Sequence, residues 1–334
     1  MQIAFFEIEE WEKAYFKKRF AEHELLFFSE HLQDVDANKL QDIEIISVFI
    51  YSSVTAHVLK ELPNLKLITT RSTGFDHIDL TYCLEKKIMV CTVPTYGANT
   101  VAEHTFMLLL ALSRKLVPSI ERTRRGDFEL EGLRGFDLHG KTLGVIGFGN
   151  IGTEVIRIAK GFGMHVVVFT RNPSEGLARK MRITFLKLPE LLRVSDVVTL
   201  HVPYTKQTHH LLNKKNIKKM KKGSILLNTA RGGLIETEAI LYGLDHGILQ
   251  GVGLDVLEGE CGIKEERQLL SGKFKQECDL RTQLMNHVLL QRENVLVTPH
   301  NAFNSQEALQ RILDVTVENI LMFLSKKPQN TVTA

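Results

Sequence analysis

Short apolar, β-favouring runs alternate with stretches of helical spacing along almost the whole chain. In the first hundred residues Gln2–Phe6, His23–Phe28, Ile43–Phe49 and Leu65–Thr69 read as strands, with helices expected over Glu10–Glu22 and Thr55–Leu62. After the turn-rich Pro94–Asn99 comes Thr100–Leu116, an apolar helix expected to be capped by Asn99 or Thr100, with Glu103 completing a capping box. Apolar nearly all round, it should be buried in the core or against a second subunit. It is too short, and too charged at its start, for a membrane span. Strands are then expected at Thr142–Ile146, His165–Phe169, Val197–His201, Ser224–Asn228, Gly251–Val256 and Val295–Thr298. Between them lie helices to Lys160 and over Leu188–Arg193, Lys214–Met220 and Glu236–His246, and a polar, partly helical excursion over 260–293. This rhythm predicts an α/β chain with parallel sheets. The closing amphipathic Ser305–Leu324 has no place in the second sheet and should return to the first. That predicts a discontinuous domain, 1–98 with 300–334, around a second domain of 99–299.

The second domain opens on strand, glycine turn, helix, strand. Gly147-Phe148-Gly149-Asn150-Ile151-Gly152 follows the run Thr142–Ile146. In such a turn Gly147 makes the tight bend, Gly149 lets a pyrophosphate approach the backbone, and Gly152 lets helix and strand pack closely. The helix start, Asn150 and Ile151 included, offers free N–H groups to phosphate. A dinucleotide cofactor is therefore expected. An acidic residue ending the next strand would bond a ribose 2′-hydroxyl and repel a 2′-phosphate, but here Thr170-Arg171-Asn172 stand there. Hydroxyl, guanidinium and amide suit a phosphate, favouring NADPH or dual use. The other reading has Arg171 stacked on adenine, with NADH used.

Composition narrows the classes. The chain has 334 residues, 44% hydrophobic and 24% charged, with a net charge of +3 spread over both signs. That balance suits a two-domain globular protein and carries no nucleic-acid footprint. The cluster from Lys214 to Lys222 reads as a solvated helix face. With no span and no signal-like start, a cytoplasmic protein is expected. Cys83, Cys91, Cys261 and Cys278 lack C-x-x-C spacing, and His209-His210 lacks the spacing of a helical metal pair, so neither disulfide nor metal is expected.

In open parallel sheets ligands lie beyond the carboxyl ends of the strands. Those ends carry Ser72–Asp76, Thr170–Asn172, His201-Val202-Pro203, Asn228–Gly233, Asp255–Glu260 and His300. Arg231 is a natural clamp for a small carboxylate, and His300 can exchange a proton near neutral pH. An ionised Glu260 would favour the imidazolium and orient the ring. Cation, proton donor and tuning carboxylate suffice for hydride chemistry on a 2-oxo acid. His104 is expected to make a satisfied core hydrogen bond, and His201 to line the cofactor site.

Taken together, STGFDHIDL, VPTYGANTVAEHTFMLLL, GKTLGVIGFGNIG, LHVPYTKQTHHLLN, MKKGSILLNTARGGLIE, GLDVLEGE and VLVTPHNAF resemble the D-isomer-specific 2-hydroxyacid dehydrogenases, and particularly their D-lactate dehydrogenase branch. The resemblance implies a Rossmann-type dinucleotide-binding domain and a discontinuous flavodoxin-like substrate domain. It places the catalytic arginine, glutamate and histidine on Arg231, Glu260 and His300. The substrate tyrosine falls on Tyr96, the backbone carboxylate cradle on Thr73-Gly74, and aromatic walls on Phe303 and Tyr51. It also puts Thr229, Ala230 and Asp255 at the nicotinamide carboxamide, and Thr208 in the cofactor site. The implied reaction is reversible reduction of pyruvate to D-lactate with NAD or NADP, and the apolar helix Thr100–Leu116 leads to the expectation of a homodimer. Glyoxylate or hydroxypyruvate reduction is the alternative within the family. A dinucleotide-binding corepressor of the same fold is the alternative outside enzymes, set apart by long flanks and a peptide groove.

Overall fold

The computed structural model describes residues 1–259 and 279–332, and the chain divides into two compact units, 1–96 with 305–334, and 97–304. Both crossovers differ from the expected ones, and His300 and Phe303 therefore belong to the larger unit. Glu260, Cys261 and Cys278 lie outside the described residues.

The smaller unit holds β1 (Gln2–Phe5), α1 (Glu10–Arg19), β2 (Glu24–Phe27), β3 (Ile45–Val48), α2 (Ala56–Leu59), β4 (Leu67–Thr70), α3 (Leu80–Glu85) and β5 (Met89–Cys91). All five strands are parallel, in the order β2-β1-β3-β4-β5. That is the flavodoxin-like order. Strands β3 and β4 are buried at every position, as strands covered on both faces must be. The closing helix Gln306–Leu324 presents Leu313, Val317 and Ile320 to Ile3, Phe5, Ile45 and Leu67 on this sheet. Its buried Asn319 donates to the Thr92 carbonyl at 2.9 Å and accepts from Asn330 at 2.8 Å, pinning the chain end along β5.

The larger unit begins with α4 (Ala98–Ser113) and α5 (Leu116–Arg124). Then come β6 (Thr142–Ile146), α6 (Asn150–Gly161), β7 (His165–Phe169), α7 (Glu175–Met181), β8 (Thr184–Phe185), α8 (Leu188–Val194), β9 (Val197–Leu200), β10 (Ser224–Asn228), α9 (Thr237–Asp245), β11 (Leu249–Leu254) and β12 (Val295–Val297). Its seven parallel strands run β12-β11-β10-β9-β6-β7-β8, the doubly wound dinucleotide-binding order with one strand added. The order reverses between β6 and β9, and a ligand crevice opens at that reversal. Helix α4 buries Leu108 and Leu112 on β11, where Gly253 leaves the room: a Cβ there would stand 3.1 Å from Leu108 Cβ.

Several local expectations need correction. The long apolar helix is N-capped by Gly97 with no side-chain bond, and Glu103 instead takes a 3.5 Å bond from Asn99. It stops at Ser113 because Lys115 turns left-handed, φ 52°, and starts α5. Lys214–Met220 is only a 3-10 turn at Ile217–Lys219, and Lys218 lies over the Tyr242 ring at 4.9 Å. Among the described residues, no helix is long and apolar enough to cross a membrane, and no group of three or more His, Cys, Asp or Glu could hold a metal ion.

Candidate active site

At the switch point the three glycines divide the work by geometry. Gly147 has φ 110°, and a Cβ there would meet the His201 carbonyl oxygen at 2.3 Å. A Cβ on Gly152 would meet the Gly147 carbonyl at 2.3 Å, so the first turn of α6 packs directly on the loop. A Cβ on Gly149 would meet nothing within 4 Å. Gly149 caps α6 without a side chain, leaving the first-turn N–H groups at Asn150, Ile151 and Gly152 aimed outward with the positive end of the helix dipole. A tight bend, a close helix and an open approach fit a pyrophosphate. Opposite lies His201, whose Nε2 is 2.9 Å from Thr199 Oγ1 and whose Nδ1 is buried without a partner. Burial pushes this imidazole down to about 3, so it is neutral at physiological pH.

The strand order sets these groups in a row along the carboxyl edge of the larger sheet. From one end come His300 after β12, Asp255 after β11, Thr229 to Arg231 after β10, His201 to Pro203 after β9, Gly147 to Gly152 after β6, and Thr170 to Asn172 after β7. Neighbouring strands are about 4.8 Å apart, so Arg231 and His300 rise two strand spacings from each other. Arg231 and Asn172 lie on opposite sides of the glycine turn. Both Arg171 and Asn172 are exposed, and the Asn172 N–H reaches Thr170 Oγ1 at 3.4 Å.

The Arg231 loop is shaped from within. Asn228 Nδ2 donates to the Arg231 carbonyl at 2.8 Å, and Asn228 Oδ1 accepts from Ala230 N at 3.1 Å. Arg231 Nη1 donates to the Ala230 carbonyl at 2.8 Å. Gly232 presses against the segment that follows β11, where a Cβ would sit 2.0 Å from the Leu257 carbonyl oxygen. Thr229 is buried and its hydroxyl is 2.9 Å from that of Thr105 on α4. Thr208 donates to the Pro203 carbonyl at 2.7 Å, bracing the loop after β9. His210 pairs with Glu258, which also takes the Thr237 hydroxyl at 2.7 Å, while His209 stacks on the His210 ring at 3.8 Å.

Asp255, expected at the nicotinamide carboxamide, spends its carboxylate on the protein. It is 1% exposed and accepts from Thr298 Oγ1 at 2.5 Å, Asn301 N at 3.0 Å and Ala302 N at 2.8 Å. His104 Nε2 stands 3.4 Å away and 2.9 Å from Thr298 Oγ1. Burial pushes the carboxyl up, but bonds from His104, Thr298 and Ala302 outweigh it and hold it below the ordinary carboxylate range. The turn it grips presents His300 at φ 53°, a left-handed conformation that an ordinary side chain adopts only when its surroundings impose it. Sequence reasoning placed His104 in a core hydrogen bond but missed its partners, Thr298 and Asp255, both more than 150 positions away.

In the smaller unit, Thr73 Oγ1 donates to the Val93 carbonyl at 2.8 Å and Ser72 Oγ to the Gly74 carbonyl at 2.6 Å. These bonds fix a loop in which the Thr73 and Gly74 N–H groups take no partner among the described residues. Tyr96 is half-buried, its carbonyl accepting from Arg311 Nε at 2.6 Å, and Tyr51 is 40% exposed.

Strand order and glycine turn define a Rossmann-type dinucleotide-binding protein, and the comparisons narrow the class. Residues 106–302 match the family model of the D-isomer specific 2-hydroxyacid dehydrogenase NAD binding domain. The D-lactate dehydrogenase of Escherichia coli is 35% identical over 324 residues, covering 96% of each chain. A glycerate dehydrogenase of Methylorubrum extorquens is 37% identical over 285 residues, 84% of this chain and 82% of that one. The structure of a D-lactate dehydrogenase from Aquifex aeolicus, complexed with NAD and lactic acid, aligns with a TM-score of 0.87 at 36% identity, covering 97% of this chain and 96% of that chain. The chain belongs to the D-isomer-specific 2-hydroxyacid dehydrogenases. It is an oxidoreductase of that family.

Proposed function

We propose that the protein interconverts pyruvate and D-lactate with a nicotinamide cofactor. The observation that carries this reading is the full-length likeness to a D-lactate dehydrogenase described with NAD and lactic acid, joined to a site row with a cation and an imidazole at one end. When bound, the cofactor supplies or accepts hydride at the substrate C2. Arg231 holds the substrate carboxylate in its guanidinium fork, and the Thr73 and Gly74 N–H groups complete the carboxylate's coordination. His300, as imidazolium, gives its proton to the carbonyl oxygen in reduction and takes it back in oxidation. Glu260 is the carboxylate that the family motif pairs with this histidine, while Tyr96, Tyr51 and Phe303 wall the substrate methyl group. Asp255 and His104 keep the His300 turn in place. Such pre-positioning is worth roughly 7–11 kcal/mol of barrier in well-oriented reactions.

The likeness to a glycerate dehydrogenase supports a second reading, reduction of glyoxylate or hydroxypyruvate. Thr170-Arg171-Asn172 in place of a carboxylate supports use of NADPH beside NADH. Initial rates on pyruvate, glyoxylate and hydroxypyruvate, each with NADH and NADPH, test all of this together. Pyruvate is expected to give the highest kcat/KM, and His300→Ala to lower turnover by at least the ~10²-fold typical of losing a general acid–base. Preference for hydroxypyruvate would favour the second reading, and an unchanged rate in His300→Ala would remove that residue from the chemistry. The protein is further read as a homodimer joined through α5 and the segment after it.

A further inference from the structure

A buried cluster of charges stands behind the carboxyl edge of the smaller sheet, and the proposed chemistry leaves it unused. Arg71 is 2% exposed at the end of β4, immediately before the Ser72-Thr73-Gly74 loop. Its guanidinium donates to the carbonyls of Phe6 at 2.8 Å and Glu7 at 2.9 Å, and to Ser47 Oγ at 3.2 Å. Glu12, 7% exposed, and Glu7 are the carboxylates that offset the buried cation. Glu7 follows β1 with φ 54°, a backbone cost for a side chain of this kind. Its carboxylate then reaches across to the loop after β3, accepting from Phe49 N at 2.8 Å, Tyr51 N at 2.9 Å and Ser52 Oγ at 2.6 Å. Ser52, fully buried, accepts in turn from Leu32 N at 3.1 Å. The Gln33 side chain completes the hold, donating to the Tyr51 carbonyl at 3.3 Å and accepting from Ser53 N at 2.8 Å.

We infer that Glu7 is a positioning residue for substrate recognition: held by Arg71, it fixes the Phe49–Ser53 loop, and so the Tyr51 wall, relative to the Thr73-Gly74 cradle. This rests on the reading above, in which Tyr51 and Thr73-Gly74 face the substrate. One carboxylate serves three donors on this loop, while Arg71 joins the Glu7 backbone to the base of the cradle strand. The geometry explains why a left-handed glutamate is kept where glycine would cost less. Its effect falls on the substrate side chain and carboxylate. The glycine turn and His300 belong to the other unit.

Glu7→Gln keeps the shape but replaces one acceptor oxygen with a donor facing donors. The KM for the 2-oxo acid is expected to rise about tenfold or more, the loss typical of bonds to a charged group. The KM for the dinucleotide and kcat at saturation should stay within about twofold, and the preference for pyruvate over bulkier 2-oxo acids should narrow. Ser52→Ala, which removes one of the three donors to the Glu7 carboxylate together with the acceptor for Leu32 N, should show a smaller shift of the same kind and guards against a Glu7 variant that fails to fold. Equal falls in kcat and in both KM-derived terms, or no change, would overturn the inference. Amide hydrogen exchange at Phe49 and Tyr51 is read in parallel, without substrate. If the wild type reduces no 2-oxo acid, the functional reading fails on its own, and unaltered exchange in Glu7→Gln separately removes the loop contact.

Discussion

Burial holds the His201 ring neutral, and the sign of the resulting pH effect follows. A histidine with its folded pKa lowered to about 3, against about 6.5 unfolded, leaves the unfolded chain binding more protons as pH falls below 6.5. Stability is therefore full above that value and is lost progressively from pH 6.5 towards 3. Urea titrations between pH 7 and 5 should show the wild type losing about 1 kcal/mol per pH unit below 6 relative to His201→Gln, and parallel curves would mean the ring is solvated. At this scale the sequence was legible where chemistry and position coincide. Arg231 and His300 carry scarce chemistry, and their expected positions after strands agree with the observed ends of β10 and β12. The hold of Thr298, Asn301 and Ala302 on the Asp255 carboxylate was not legible, because no local pattern announces that they fold back onto it. Glu7 was invisible for the same reason, since its partners are more than forty positions away.

Elements were legible in proportion to their length and periodicity. The strands from Thr142 to Phe169, with the helix between them, match their expected positions because apolar runs and glycines agree there. The three-residue β5 and two-residue β8 escaped, being too short to show alternation, and with them α3 and α7. Lys214–Met220 tightens to a 3-10 turn, with Lys219 N and Met220 N bonding back three residues to Asn216 and Ile217 at 2.9 and 3.0 Å. The glycine element makes a contrast that can be tested. Gly152→Ala drives a methyl group into the Gly147 carbonyl, and should cost roughly 1–3 kcal/mol of stability along with at least tenfold in dinucleotide affinity. Gly149→Ala meets no protein atom, so its melting temperature should stay within a degree or so while affinity falls, because the methyl occupies the phosphate's approach. Fluorescence titration of NADH beside thermal melts separates the two, and unchanged affinity in Gly149→Ala would place the phosphates elsewhere.

For the molecule as a whole, the apolar residues that no core absorbs bear on assembly. Most of α4 is buried within its own unit, so the expectation that this helix serves a second subunit narrows to what remains outside: Met107, and on α5 Leu116, Val117 and Ile120, each 40–48% exposed. The chain then folds back along α5, where Arg122 Nη1 donates to the carbonyls of Glu129 at 3.3 Å and Glu131 at 2.5 Å. That return leaves Phe128 77% and Leu130 81% exposed beside the helix. Arg124 and Arg125 lie close in sequence to Asp127, Glu129 and Glu131, so both charge signs flank the exposed Phe128 and Leu130 along the chain. A surface with both signs around an apolar centre is suited to a copy of itself turned by a two-fold axis, each basic edge meeting the other's acidic edge. Sedimentation should accordingly give about twice the 37.9 kDa chain mass at micromolar concentration. Phe128→Asp with Leu130→Asp, both at positions too exposed to matter for the fold, should shift the protein to monomer while the dinucleotide still binds. A wild-type monomer at every concentration tested would sink the dimer, and a double variant that stays dimeric would move the interface to another face.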